Sequence, residues 1–266
     1  MPAPANRLKA ALKENRPLYG LWLAMADAYA AEIAAHAGFD WLLVDGEHGP
    51  NDVRSILRQL QVLQASASEI VVRAPVGDTA VIKQLLDIGT RSLLVPMVNS
   101  AEQAAELVRA CRYPPHGVRG VGAAIARVSG FGAIGDYVQT ADAEICLIVQ
   151  AESRAAIADL ERIAAVDGVD AVFIGPADLA ADMGLTGQTD APEVRAVVEN
   201  AIRTIRAAGK AAGVLTFDPA IIRDYIAAGA TFVGVGADVT VFSTALKRLA
   251  GSYTGRGEAR GASANY

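Results

Sequence analysis

Short runs of apolar residues recur along the chain, and the segments between them repeat their apolar residues with the spacing of a helix. Near-continuous apolar runs are typical of strands buried on both faces, and the intervening periodicity predicts helices that connect parallel strands. The eight runs are 20–25, 41–45, 70–73, 92–97, 145–152, 171–178, 210–217 and 232–238. Eight alternating strand–helix units in a chain of 266 residues predict one (β/α)8 barrel domain over residues 1–253.

Two further features of the pattern bear on the architecture. An open, doubly wound sheet is the alternative fold, but it usually carries a glycine-rich phosphate turn after its first strand, and the sequence WLAMADAY has none. After the eighth run, residues 241–253 predict a final amphipathic helix, which we expect to pack on a neighbouring subunit. The small and polar residues 254–266 predict a mobile tail.

Composition and charge narrow the function. The formal net charge is -5, with acidic and basic residues interspersed, so the chain has no basic stripe suited to nucleic acid. The N-terminal segment lacks the apolar core of a secretory signal, and charged residues interrupt the first apolar stretch, so we expect a cytoplasmic protein without a membrane anchor. Two cysteines are too few for a disulfide framework or a zinc knuckle.

The polar residues at the ends of the apolar runs are the candidates for chemistry, because barrels of this kind react at the carboxyl ends of their strands. Glu152 and Asp178 could converge at one barrel mouth, where hard oxygen donors suit Mg²⁺ or Mn²⁺. The alternative is that these carboxylates cap helix N-termini, which Asp178 in particular could do. Spacing alone leaves both interpretations open.

A base and a cation complete the candidate set. His48 is the one histidine of three that lies directly after a strand, and an imidazole can take a proton near neutral pH. Arg73 closes an apolar strand, so it must meet a carboxylate, either Glu47 of the protein or a ligand. None of the five lysines falls at the carboxyl end of a strand, which argues against a Schiff-base aldolase.

The segments DWLLVDGEHGPND, VVRAPVGD, RYPPHGVRGVG, LIVQAE and GVDAVFIGPADLAADMG resemble the HpcH/HpaI aldolase family over roughly residues 8 to 250. The resemblance implies a barrel of the phosphoenolpyruvate/pyruvate type and a class II aldolase that reversibly cleaves 4-hydroxy-2-oxo acids to pyruvate and an aldehyde through a metal-bound enolate. It also implies Mg²⁺, Mn²⁺ or Co²⁺ as cofactor and a homo-oligomer, a hexamer as in the family.

The same resemblance implies a role for each candidate residue. His48 would be the base, Arg73 would stabilise the enolate, and Glu152 and Asp178 would bind the metal. Gln150 and the backbone around Ala177 and Asp178 would hold pyruvate, Asp45 would hold a metal-bound water, and Asp87 would raise the basicity of His48. Val76 and Gly49 depart from residues frequent in the family, so the identity of the aldehyde stays open.

Competing functions share much of this residue set. An oxaloacetate decarboxylase or an acyl-thioester lyase would use the same enolate, and a non-catalytic barrel could bind metal and carboxylate without any need for His48. The position of Asp87 raises a separate question. Eight residues into a helix, at about 1.5 Å per residue, it should lie roughly 12 Å toward the face opposite His48. If Asp87 acts on a histidine, we expect that histidine to belong to an adjacent subunit.

Overall fold

Eight parallel strands close into a barrel in chain order, as the apolar runs predict. The computed structural model describes residues 1–254, and each strand pairs with the next, while β8 returns to pair with β1. The strands are β1 Leu18–Leu23, β2 Trp41–Asp45, β3 Glu69–Arg73, β4 Ser92–Val95, β5 Cys146–Ala151, β6 Ala171–Ile174, β7 Ala211–Leu215 and β8 Phe232–Ala237. The closed order excludes the open, doubly wound sheet.

Helices connect the strands and cover the outside of the barrel. They are α1 Arg7–Ala11, α2 Ala28–Ala35, α3 Val53–Val62, α4 Thr79–Asp87, α5 Ala101–Cys111, α6 Tyr137–Glu144, α7 Arg154–Ala158, α8 Leu160–Ala165, α9 Pro176–Asp182, α10 Pro192–Ala207, α11 Pro219–Ala228 and α12 Asp238–Thr254. Short 3-10 turns lie at Leu63–Ala65, Ala123–Ile125 and Arg127–Ser129. The long connection between α5 and α6 contains two of these turns.

Local sequence fixes where the helices begin and end. Asp52 and Asp78 are the N-caps of α3 and α4, and their side chains accept hydrogen bonds from backbone N–H groups in the first turns of these helices. Gly229, at φ 115°, ends α11 in the left-handed conformation that glycine adopts without strain. One predicted strand is too long: the run 171–178 stops being a strand at Ile174, and Asp178 lies in the first turn of α9.

Four aromatic rings fill the barrel interior. Trp41 stacks on Phe232 at 4.0 Å between ring centroids, and Trp22 contacts both Trp41 and Phe173, at 5.5 and 5.4 Å. Phe173 and Phe232 complete the cluster, with their ring centroids 6.1 Å apart. Gly20 leaves space for the Trp41 side chain, because a Cβ at Gly20 would lie 2.0 Å from the Trp41 ring. The rings occupy the space in which other side chains would have to pack.

The last described helix is packed differently from the others. None of the residues of α12 is buried, and Val241, Phe242, Leu246 and Leu249 are each about half exposed. The sequence prediction of a final helix is confirmed, and it reaches Thr254. The remainder of the predicted tail lies outside the described residues. Within residues 1–254, no helix is both long and apolar enough to cross a membrane.

We expect Gly20→Ala to destabilise the barrel, because the added methyl group would overlap the Trp41 ring. Overpacking of a closed interior costs roughly 2 kcal/mol or more in the free energy of unfolding. The matched control is Gly135→Ala, since a methyl group added there would have no atom of the described residues within 4 Å beyond its own chain neighbours. Urea denaturation of both variants checks this, and equal midpoints for Gly20→Ala and the wild type would contradict it.

Candidate active site

The carboxyl ends of β2 and β3 are joined by a buried ion pair. Asp45 and Arg73 are neighbours in the strand register, and the guanidinium bonds both carboxylate oxygens, with Nε to Oδ1 at 2.8 Å and Nη2 to Oδ2 at 2.6 Å. Both side chains are almost fully buried. Asp45, together with Glu47, satisfies the requirement that a buried guanidinium meet a carboxylate.

Asp45 also shapes the loop that carries His48. Its Oδ1 accepts hydrogen bonds from the backbone N–H groups of Glu47 at 3.0 Å and His48 at 3.3 Å. The sequence prediction that Asp45 holds a metal-bound water stays a prediction. What the structure shows is that both of its oxygens already bond Arg73.

Glu47 is a second carboxylate in this group. Its Oε2 lies 2.8 Å from Arg73 Nη1 and 3.9 Å from His48 Nε2. Burial raises the pKa of Glu47, and Asp45 and Asp178 add to the rise, while Arg73 and His48 oppose it. The sequence offered Glu47 as the protein partner of Arg73. In the structure it shares that role with Asp45.

Glu152 follows β5 and is nearly inaccessible to solvent. Its Oε1 accepts a hydrogen bond from the backbone N–H of Met97 at 2.7 Å, and its Oε2 accepts one from the side-chain amide of Gln150. Burial raises the pKa of Glu152 to about 7, and repulsion from Asp178 and Glu47 contributes. Gly175 is required beside it, because a Cβ at that position would lie 2.5 Å from Oε2.

Asp178 reaches the site from the first turn of α9. The backbone N–H of Leu179 bonds the carbonyl of Gly175, and the N-cap Gly175 makes no side-chain cap. Asp178 is therefore not the N-cap of α9, so the capping interpretation is wrong for Asp178, and its role as a metal ligand stays a prediction.

These elements enclose a cavity of about 270 Å³ at the carboxyl end of the barrel. Five of the predicted residues line it, together with apolar side chains that the sequence did not single out. The lining consists of Trp22, His48, Arg73, Gln150, Phe173, Gly175, Pro176, Ala177, Asp178 and Leu215. Alternation along buried strands shows which side chains point inward, but not which of them reach the cavity.

Asp87 is the predicted site residue that the single chain does not place with the others. It is the last residue of α4, and its Oδ1 accepts a hydrogen bond from Arg119 Nη2 at 2.9 Å. Arg119 is fully buried and lies over the ring of Tyr113 at 4.5 Å. Within residues 1–254, the ion-pair partner of Asp87 is Arg119.

The charges around the cavity do not balance. Arg73 interacts with Asp45, Glu47 and Glu152, and the last two also interact with Asp178. Three carboxylates thus act on one guanidinium, a fourth acts on two of them, and a bound cation would offset the repulsion among the four. Within the described part of the chain, no three His, Cys, Asp or Glu side chains are arranged to hold a metal ion by themselves. Two carboxylates with water or substrate oxygens remain a suitable donor set for Mg²⁺ or Mn²⁺.

Comparison with known proteins shows which family the chain resembles. The family of HpcH/HpaI aldolases and citrate lyases matches residues 18–245. A hydroxypyruvate/pyruvate aldolase of Agrobacterium fabrum is 61% identical over 255 residues, which cover 96% of each chain. A 4-hydroxy-2-oxo-heptane-1,7-dioate aldolase of Shigella sonnei is 52% identical over 93% of this chain and 95% of its own. The crystal structure of a family protein from Burkholderia cenocepacia superposes with a TM-score of 0.90 at 41% identity, covering 93% of this chain and 99% of the other.

We expect Asp45→Asn to destabilise the protein by roughly 3 kcal/mol, because it leaves the Arg73 guanidinium buried without its bidentate partner. Glu102→Gln is the matched control, since it breaks a solvent-exposed pair with Arg162 and should leave the unfolding midpoint unchanged. Urea denaturation followed by circular dichroism measures both. If the two variants unfolded at the same urea concentration, the buried pair would not be the anchor of this end of the barrel.

Proposed function

The chain belongs to the HpcH/HpaI aldolase/citrate lyase family and is a lyase of the aldolase type, and we propose that it is a metal-dependent aldolase joining pyruvate, or hydroxypyruvate, to an aldehyde. The observation that carries the proposal is a group of four carboxylates at the carboxyl end of the barrel. Asp178 lines the cavity with Arg73 and His48, and Asp45, Glu47 and Glu152 interact with Arg73. Hydroxypyruvate is included because the Agrobacterium fabrum relative is named for both donors. The reverse reaction cleaves a 4-hydroxy-2-oxo acid.

Glu152 and Asp178 would hold the divalent cation. When bound, the cation polarises the ketone of the donor and makes the protons on the neighbouring carbon easier to remove. The donor set fits, because both groups are carboxylates and because Glu152, whose pKa is raised to about 7, would be favoured as the anion by a nearby positive charge.

The chain's own groups divide the remaining work. Gln150 and the N–H groups of Ala177 and Asp178, which line the cavity, would bind the donor carboxylate. Arg73 has N–H groups beyond those bonded to Asp45, and they can donate to the enolate oxygen. His48 takes the proton from C3 and returns one in the reverse direction.

Asp87 enters this proposal through assembly. The apolar face of α12 is exposed in the single chain, and Asp87 is partly exposed on its own surface. We expect a homo-oligomer, a hexamer by resemblance to the family, in which Asp87 of one subunit approaches His48 of another.

Metal dependence is the first test. Chelation with EDTA should abolish pyruvate release from a panel of 4-hydroxy-2-oxo acids, and Mg²⁺, Mn²⁺ or Co²⁺ should restore it. The reason is that the cation held by Glu152 and Asp178 would polarise the ketone, which carboxylates alone cannot do. Borohydride with pyruvate should leave the enzyme active, since no lysine among residues 1–254 lines the cavity. Inactivation by borohydride would contradict the proposal. Oxaloacetate in the same panel measures the competing decarboxylation.

Subunit mixing tests the shared site. Co-expression of His48→Ala with Asp87→Asn should recover activity above that of either variant, because about a quarter of randomly assembled sites would combine an intact His48 with an intact Asp87. The control combines His48→Ala with the double variant, in which no intact His48 exists. Light scattering measures the oligomeric state in parallel. Mixed oligomers with no recovered activity would refute the role of Asp87 across the interface.

A further inference from the structure

Glu47 occupies a position between the cation and the base of the proposed site. Its carboxylate Oε2 is 2.8 Å from Arg73 Nη1 and 3.9 Å from His48 Nε2. The Glu47 side chain is 18% exposed, whereas that of His48 is 51% exposed. A mostly buried carboxylate therefore lies beside a half-exposed imidazole.

Pairing with Arg73 does not by itself explain this carboxylate. Asp45 already bonds Arg73 through two aligned hydrogen bonds, which is the strong geometry for a guanidinium. The buried Oε2 of Glu47 is close to Arg73 but has no aligned hydrogen bond to any described residue. Burial of an oxygen without an aligned hydrogen bond costs free energy, and this oxygen is the Glu47 atom that lies near His48.

We propose that Glu47 is a positioning residue for His48, stabilising the imidazolium that forms when His48 takes a proton from the donor. The inference rests on the proposed function, in which His48 is the base. In this step the C3–H bond of the donor breaks, its electron pair enters the enolate, and the proton bonds to the imidazole. Glu47 gains no proton and stays a carboxylate throughout.

The distance suits this role. An opposite charge within about 4 to 6 Å favours the charged form of a group. At 3.9 Å, Glu47 is near enough to act through its charge but too far to occupy Nε2 with a hydrogen bond, so that nitrogen can accept the proton. The positive charge of Arg73 opposes the stabilisation of the imidazolium by Glu47. Asp45 and Asp178 are the other charges that act on Glu47.

Histidine titration by NMR provides a readout that does not depend on turnover. The chain has three histidines, so the signal of His48 can be assigned by its loss in His48→Ala. In metal-free, full-length protein, Glu47→Gln should move the titration midpoint of His48 to lower pH by roughly half to one unit, and leave His36 and His116 unchanged. Glu47→Asp keeps the charge and should return the midpoint most of the way. Glu102→Gln is the matched control and should shift none of the three.

Exchange of the pyruvate methyl protons with deuterium, in the presence of Mg²⁺, links the titration to catalysis. We expect Glu47→Gln to slow exchange roughly two- to tenfold, in keeping with the expected fall in the basicity of His48, and to add no further loss in a His48→Ala background. A midpoint unchanged by Glu47→Gln, or an additive loss in the double variant, would overturn the role of Glu47. If His48→Ala itself exchanged at the wild-type rate, the proposed base would be wrong, whatever Glu47→Gln does.

Discussion

The organisation of this site depends on one buried guanidinium. Arg73 ends an apolar strand, where its charge cannot be left unpaired, and the carboxylate that meets it ends the adjacent strand. That carboxylate, of Asp45, also accepts hydrogen bonds from the backbone N–H groups of Glu47 and His48 in the loop that follows, so the position of Asp45 sets the positions of both residues. A constraint on one charge thereby orients a base, a second carboxylate and a donor to the substrate.

Electrostatics and packing divide the barrel into two ends with different tasks. Below the cavity, the aromatic rings fill the interior and exclude water. At the carboxyl end, Asp45, Glu47 and Glu152 act on a single arginine, and a cation that entered there would reduce their mutual repulsion.

Local sequence predicted the fold and most of the site, because both depend on patterns within short segments. Eight apolar runs identified eight strands. The polar residues at the ends of the runs, with His48 in the loop after β2, gave the candidates His48, Arg73, Gln150, Glu152 and Asp178. Pairings between segments were harder to predict. That Asp45 bonds Arg73, or that Asp87 bonds Arg119, depends on strand register and on the path of a long loop. The predicted end of β6 at Asp178 was wrong, because the residues GPADL are apolar enough to extend the run. The strand stops at Ile174 because Pro176 begins a helix.

The empty space that glycine leaves beside each aromatic ring has an evolutionary consequence. Gly20 faces Trp41, Gly213 faces Phe173, and Gly234 faces Trp22, each on a different strand from its ring. A larger residue at one of these glycines fits only if the ring opposite becomes smaller, and a smaller ring leaves a void unless the glycine is replaced. These positions should therefore change in pairs among related chains. Because Trp22 and Phe173 also line the cavity, a paired exchange at Gly234 and Trp22, or at Gly213 and Phe173, would reshape the floor of the cavity.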